Sequence, residues 1–481
     1  MTPRRRLVVL LICCFSLLMV SMDNTIVNVA LPSIRRDLDA SLSGLQWTID
    51  AYTLVLASLL MLSGSTADRL GRRRTFQVGL ATFTAGSLLC SIAPGLGWLV
   101  AARVVQAIGG SMLNPVAMSI ITNVFTDARE RARAIGVWGA VVGLSMALGP
   151  IVGGALTETV GWRAIFWINV PIGVAAFVLA AVFVPESRAA RPRRPDPVGQ
   201  LLVATTLATL TYGIIEGPGH GWGSPVIVGL FVVAVLALAG LIGWEQRRID
   251  PLLELRFFRS TPFSSATLTA VMAFAAFGAF LFLNTLYLQD VRGYSALQAG
   301  ACTLPMALAT FLLAPVSGRI VAARGVRVPL FTAGVCMIAS AALLTRLAPD
   351  TPLPELLVAY LLFGIGFGMV NSPITNTAVS GMPRAQAGVA AAVASTSRQV
   401  GQSLGVAVAG TLAGTASGLI GPGFAAATHA AWWMVLGCGV AIVLLCAVAT
   451  TRRAQESARR VAELFVEDHL PTPEPSATVA R

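Results

Sequence analysis

Two charged residues stand where charge is costly. Asp23 lies in the apolar run 7–31, within SMDNTIVNVALP at 21–32, and Arg103 lies in the apolar run 96–123. Near the middle of a membrane helix either residue type costs roughly 2.5–3.5 kcal/mol on insertion scales. A carboxylate held there pairs with a cation, faces water or carries a proton. An opposite charge favours the ionised acid, and burial favours the neutral one. A pair whose spacing or wetting differs between two conformations can therefore bind H⁺ in one and release it in the other. Two plainer readings stay open at this level: a capping or packing aspartate near an unwound helix end, and a static ion pair.

Other chemistries find no residues to carry them. Of 481 residues, 56% are hydrophobic and 12% charged, against about 25% charged in soluble domains. All 34 basic residues are arginine, which removes lysine Schiff-base chemistry. The seven cysteines, an odd number, lie in apolar runs without a CxxC pair, and His220, His429 and His469 are isolated. The sequence therefore predicts no metal, no disulfide and no cofactor. It contains no HExxH, no phosphate-binding GxxxxGK[ST] and no Ser–His–Asp set, so no enzyme is expected. The net charge of +12 is spread over short loops, without the aromatic-laced basic stripe of a nucleic-acid binder.

The elements that would position the pair are membrane spans, each needing about 20 apolar residues. Fourteen are expected, at 7–31, 45–66, 75–93, 96–123, 133–157, 164–184, 199–216, 224–244, 263–288, 296–320, 328–347, 353–377, 387–414 and 427–449. Arg4 to Arg6 followed by an apolar run resembles a signal peptide, but no A-x-A-like site follows, so the run reads as a retained first span. With the N-terminus in the cytoplasm, 27 of the arginines fall in cytoplasmic segments and five in outer ones. This positive-inside bias predicts an even number of spans in the plasma membrane with both termini cytoplasmic.

The fold class expected is an all-α polytopic membrane protein. Pro- and Arg-rich 185–197 and the longer 244–262 act as joints. They divide the chain into an N-terminal six-helix bundle (1–190), a linker with two additional spans (191–262), a C-terminal six-helix bundle (263–450) and a cytoplasmic tail (451–481). The tail starts charged and turns Pro- and Thr-rich from Leu470, where disorder is expected. A Gly-then-Arg loop follows the second span (GSTADRLGRRR, 64–74) and another the tenth (GRIVAARGVR, 318–327), as in repeated transporter halves.

Three local patterns carry specific mechanics. In GSTADRLGRRR, Gly64 and Gly71 permit a tight turn, and Asp68 is placed to pair with Arg69, Arg72 or a helix N-terminus. In GLSMALGPIVGG (143–154), Pro150 removes a helical hydrogen bond and permits a bend. Gly143, Gly149, Gly153 and Gly154 let another helix come close. Generic tight packing and a leak-proof seam are compatible readings of that stripe. In RVVQAIGG (103–110), Arg103 needs a partner, and Asp23 is the natural intramembrane candidate within the same bundle.

These stretches resemble the major facilitator superfamily, in which a G-x-x-x-D-R-x-G-R-R loop joins spans two and three. RVVQAIGG resembles the family's intramembrane arginine motif, with Ala107 in place of the usual glycine. GLSMALGPIVGG is similar to the motif of its antiporters. Met22–Pro32, WRAIFWINVPIG (162–173), GYSALQAGACTLP (293–305) and RQVGQSLGVA (398–407) resemble its fourteen-span drug:proton antiporters. The resemblance implies two six-helix bundles of the major facilitator fold plus two extra central helices. It implies export of lipophilic or cationic drugs or antibiotics by alternating access, coupled to protons, by a monomer in a lipid bilayer. Export of a specific endogenous metabolite remains the alternative.

Polar residues within spans are the candidates for a small-molecule cavity: Asn24, Asn28, Asp50, Tyr52, Gln106, Asn114 and Asn371. Trp47, Tyr52, Trp138 and Phe367 are candidates to stack on a flat ligand. Asp50, Glu158 and Glu216 fall toward the outer side, where a solvated carboxylate is the usual case.

Overall fold

Lipid offers the backbone no hydrogen-bonding partner, so long apolar stretches must satisfy it internally as helices. The computed structural model describes residues 1–189, 195–248, 251–379, 387–417 and 423–467. Arg191, Arg193, Arg194 and Arg384, and the tail from Leu470, lie outside the described residues. Those described form helices and connecting turns, with no strand among them.

The first half runs α1 (Pro3–Leu38), α2 (Leu42–Leu70), α3 (Arg72–Ser91), α4 (Leu96–Val124), α5 (Ala128–Thr159), α6 (Ala164–Trp167) and α7 (Asn169–Phe183). α6 and α7 are one run broken at Ile168, which caps both. A hairpin follows, α8 (Pro197–His220) and α9 (Pro225–Glu245). The second half starts with a 3₁₀ turn (Leu255–Arg259) and α10 (Thr261–Leu286), which continues as a π turn (Tyr287–Val291). Then come α11 (Ala296–Cys302), α12 (Leu304–Arg324), α13 (Arg327–Leu344), α14 (Leu353–Val379), α15 (Ala387–Ser417), α16 (Phe424–Ala427), α17 (His429–Ala449) and α18 (Arg452–Glu467).

Side-chain caps set several starts. Thr2, Ser41, Asp127 and Ser224 each accept a backbone N–H from the first turn they precede, the usual means of satisfying orphan donors. Among the described residues, twelve helical runs are long and apolar enough to cross a membrane, where the sequence predicts fourteen. α3 and α15 occupy the predicted third and thirteenth places with 20 and 31 residues. Neither is among the twelve, because arginines open α3 and Gly, Ser and Gln dilute α15.

The two halves share one pairing pattern. In each, the first long helix packs on the fifth, the second and third on the fourth, and the third on the last. Between halves, α2 packs on α15 and α5 on α11 and α12. The second helix of each half thus meets the fifth of the other, as a two-fold relation requires. α8 lies against both α2 and α15. α18 turns Ala454, Val461 and Phe465 inward, and the Phe465 ring stands 5.4 Å from Phe257 in the 3₁₀ turn.

Candidate functional site

Asp23 on α1 and Arg103 on α4 are each 1% exposed and form an ion pair through Asp23 Oδ2 and Arg103 Nη1. Three residues further along α4, on the same helix face, Gln106 accepts from Arg103 Nη1 at 2.7 Å. Gln106 Nε2 donates to Asp23 Oδ1 and to Ser87 Oγ of α3, both at 2.8 Å. Arg103 Nε donates to the Thr48 carbonyl at 3.1 Å. The Tyr52 ring lies 4.1 Å from the guanidinium carbon, a cation–π contact that desolvation strengthens. Asn169, the first residue of α7, donates to Asp23 Oδ1 at 3.4 Å. Five helices therefore contribute to the cluster, with α4 and α7 bonding the α1 carboxylate directly and α2 and α3 holding Arg103 and Gln106. A buried pair of this kind is tolerated only when its remaining donors and acceptors are met.

The loop after α2 is built differently from its sequence pattern. Gly71 has φ +114°, a value open to glycine. Gly64 lies inside α2, and a Cβ added there meets nothing within 4 Å; it is not part of the turn. Asp68 near the end of α2 pairs across Gly71 with Arg72, the first residue of α3, at 3.0 Å, and Arg69 is exposed. The α3 N-terminus is held by Glu186, whose two carboxylate oxygens accept from the backbone of Arg73 and Arg74 at 3.1 and 3.3 Å. Arg72 N donates to the Ser187 carbonyl at 2.9 Å, and Ala189 N to that of Asp68 at 3.1 Å. Glu186 was hidden in sequence because it reads as one residue of a Pro/Arg-rich joint. Its only signal is an acid placed directly after the sixth span.

The small residues of α5 meet helices from both halves. An added Cβ at Gly149 would stand 1.9 Å from Thr25 Oγ1, and at Gly153 2.7 Å from Ile26, both on α1. At Gly154 it would stand 2.6 Å from the Ala296 carbonyl of α11, and at Gly143 3.2 Å from Phe311 of α12. Gly300 of α11 in turn has the Pro150 carbonyl 2.3 Å from the same ideal position.

The links between halves gather at the end of the bundle away from the N-terminus. Arg35 and Arg36 approach Asp290 at 3.4 and 3.9 Å. Gln289 donates to the Val29 carbonyl at 2.8 Å. Glu158 accepts from Ser295 Oγ at 2.7 Å and from Leu297 N at 3.2 Å. Across the other seam Gln46 donates to the carbonyls of Val406 and Ala407 at 3.2 and 2.8 Å. That end is closed.

The cavity candidates separate into groups. Gln106 and Tyr52 belong to the Asp23 cluster. Asp50 is fully buried rather than solvated, beside Ser403 of α15; Thr53 donates to its Oδ1 at 3.2 Å and its Oδ2 accepts nothing. Asn28 is buried and Asn24, Asn114 and Asn371 are half-buried. The side-chain carbonyls of Asn24, Asn28 and Asn114 have no protein partner.

Among the aromatics, Phe367 is fully buried and stacked at 4.4 Å on Phe277. Trp47 donates to Glu216 at 2.8 Å and touches Tyr212. Trp138 is half-buried with its indole N–H unpaired. Of the four, Trp138 and Tyr52 have polar atoms without a hydrogen-bond partner.

Residues 13–406 match the family described as the Major Facilitator Superfamily. The chain is 35% identical over 398 residues to the multidrug resistance protein Stp of Mycobacterium tuberculosis, covering 83% of this chain and 74% of that one. It is 38% identical over 386 residues to the tetracenomycin C resistance and export protein of Streptomyces glaucescens, covering 80% and 71%. It is 39% identical over 393 residues to the puromycin resistance protein pur8 of Streptomyces alboniger, covering 80% and 77%. Among solved structures, the human organic anion transporter MFSD10 superposes with a TM-score of 0.63 at 15% identity, covering 93% of this chain and all of that one. A bacterial homolog of the human lysosomal transporter Spinster, inward-facing and unoccupied, gives 0.61 at 17% identity, covering 98% and 100%. At these identities the structural likeness concerns the fold.

Proposed function

The chain belongs to the major facilitator superfamily of membrane transporters, and we propose that it exports lipophilic or cationic drugs or antibiotics in exchange for protons. It is a multi-pass transporter of small molecules and not an enzyme. The observation that carries the proton reading is the Asp23–Arg103 pair, buried at the meeting of five helices. A carboxylate in that position changes its proton occupancy when the helices around it part. The resistance and export functions in the relatives' names support the substrate class.

α3 and α15 are read as spans three and thirteen. Their small residues bring neighbouring backbones close, as where Gly86 faces Gln106 and Gly405 faces Ala275. Hydropathy undercounts helices of this kind. On that reading two six-helix bundles flank the α8–α9 hairpin, and the arginine-rich ends, both termini included, face the cytoplasm across the plasma membrane. The closed end then faces outward. One chain contains both bundles and the complete Asp23 cluster, which fits a monomer.

A one-unit pH gradient supplies about 1.4 kcal/mol per proton, and a 100 mV potential about 2.3 kcal/mol per charge moved. Either sustains a useful drug gradient. The test is uptake of the cationic dye ethidium into inverted membrane vesicles, with and without a protonophore. Uptake that a protonophore abolishes supports the reading, and uptake indifferent to it rejects proton coupling. A panel of antibiotics and cell metabolites in the same assay separates drug export from export of one endogenous product.

A further inference from the structure

Asn169 is an incompletely satisfied member of the Asp23 cluster, bonded through its nitrogen alone. It is 1% exposed, its Nδ2 reaches Asp23 Oδ1 at a stretched 3.4 Å, and its own Oδ1 has no partner. Asp23 Oδ1 already takes a shorter bond from Gln106 at 2.8 Å. With Asp23 ionised, the Asn169 amide thus contributes a weak donor and leaves a buried acceptor empty. Buried acceptors without partners are costly.

We propose that Asn169 is a positioning residue that reads the proton on Asp23. The inference rests on the proton-exchange reading above. Turning the amide by half a rotation exchanges its nitrogen and oxygen. The carbonyl oxygen then faces Asp23 Oδ1 and accepts from its O–H once a proton is there. An O–H···O bond closes at about 2.7–2.8 Å, so the residues must approach by roughly 0.6 Å. The backbone permits that approach, because Asn169 opens α7 at the break after α6, where Ile168 caps both segments. The proton on Asp23 supplies the partner that Asn169 Oδ1 lacks, so Asn169 favours proton uptake. The charged and titratable groups that face this carboxyl are Arg103, with Tyr52 over its guanidinium, and Cys90, whose Sγ lies 3.9 Å from Gln106 Oε1. Of these, Arg103 has no acceptor atom, and neither Tyr52 nor Cys90 is hydrogen-bonded to Asp23, whereas Asn169 already is.

The experiment follows ethidium uptake into inverted vesicles as a function of luminal pH, the lumen being the face from which protons enter. Asn169→Leu is expected to move the pH of half-maximal uptake down by about one unit, with the rate at acidic saturation largely kept. Asn169→Gln, whose amide reaches further, is expected to restore most of the profile. If Asn169→Leu does not reach the membrane, Asn169→Ala takes its place. An unmoved midpoint with a uniformly lower rate overturns the inference, as does an equal shift in the Leu and Gln variants. Asp23→Asn distinguishes the two levels: if it keeps pH-dependent uptake, the proton role of Asp23 itself fails, whatever Asn169 does.

Discussion

Gly149 on α5 stands against Thr25 on α1, two residues along the chain from Asp23, and an added Cβ would lie 1.9 Å from the threonine hydroxyl. The small-residue stripe of α5 and the acidic centre of α1 are therefore one piece of packing. Gly149→Ala is expected to lower ethidium transport by about tenfold or more, since overpacking of this kind costs about 1–3 kcal/mol. Thr25→Ala on the same chain should return part of the activity. Gly139→Ala, where an added Cβ meets nothing within 4 Å, should be silent. A silent Gly149→Ala would show that α1 and α5 can separate there at no cost.

The second prediction concerns the ion pair. Arg103→Gln leaves a carboxylate buried without a cation, a change of about 3–5 kcal/mol where such pairs have been broken. Thermal unfolding in detergent should show a large loss. Asp23→Asn with Arg103→Gln should recover much of that stability without recovering proton-coupled transport. A double variant as unstable as the single one would mean that Arg103 is held by Thr48, Gln106 and Tyr52 more than by Asp23.

Glu186 and Asp68 make a contrasting pair. Asp68→Asn removes a partly exposed ion pair between the end of α2 and the start of α3, a type worth about 0.2–1 kcal/mol. It should slow turnover while leaving dye affinity and thermal stability nearly unchanged. Glu186→Ala removes the acceptor of two backbone N–H groups at the start of α3, and lost caps cost about 0.5–2 kcal/mol. Its melting temperature should fall further than that of Asp68→Asn. Equal melting temperatures would rank the Asp68–Arg72 bond beside the cap.

The closed end supplies a fourth prediction. Asp290→Asn combined with Glu158→Gln weakens the Arg35 and Arg36 contacts and the two bonds that Glu158 accepts at α11. A cysteine placed at Leu297 should then react faster with an impermeant maleimide added outside intact cells, over the background of the native cysteines. An unchanged rate would assign closure to the glycine contacts of Gly154 and Gly300 alone.

Sequence was most legible where a residue type was out of place in its surroundings. Asp23 and Arg103 are charges in apolar runs, and their pairing could be expected from that alone. Gln106 was expected in a cavity, because an amide in a span signals a polar neighbour without saying which one. Asn169 lay in a motif without standing out, since its role depends on the break before α7 and on an acid 146 positions away. Thr48 was beyond reach, as it contributes only its backbone carbonyl. Gly64 and Gly71 show the same limit at short range: identical residues in one loop pattern, one inside a helix and one at a positive φ, separated by where Glu186 docks. The apolar runs of the sequence located α3 and α15 along with the oilier helices, although these two fall short of the other twelve in apolar content and hold their neighbours through smallness.

The α8–α9 hairpin leaves the first half and returns to the second on the same side of the molecule. It adds two helices of opposite sense, so it alters the length of the chain and not its parity. Excising residues 195–248 would leave every later helix running in its present direction. What would be lost is local: the indole of Trp47 would lose Glu216, and the Thr411 hydroxyl would lose the Ile214 carbonyl. The hairpin is in this sense a detachable cassette, set against a seam whose two sides already touch without it.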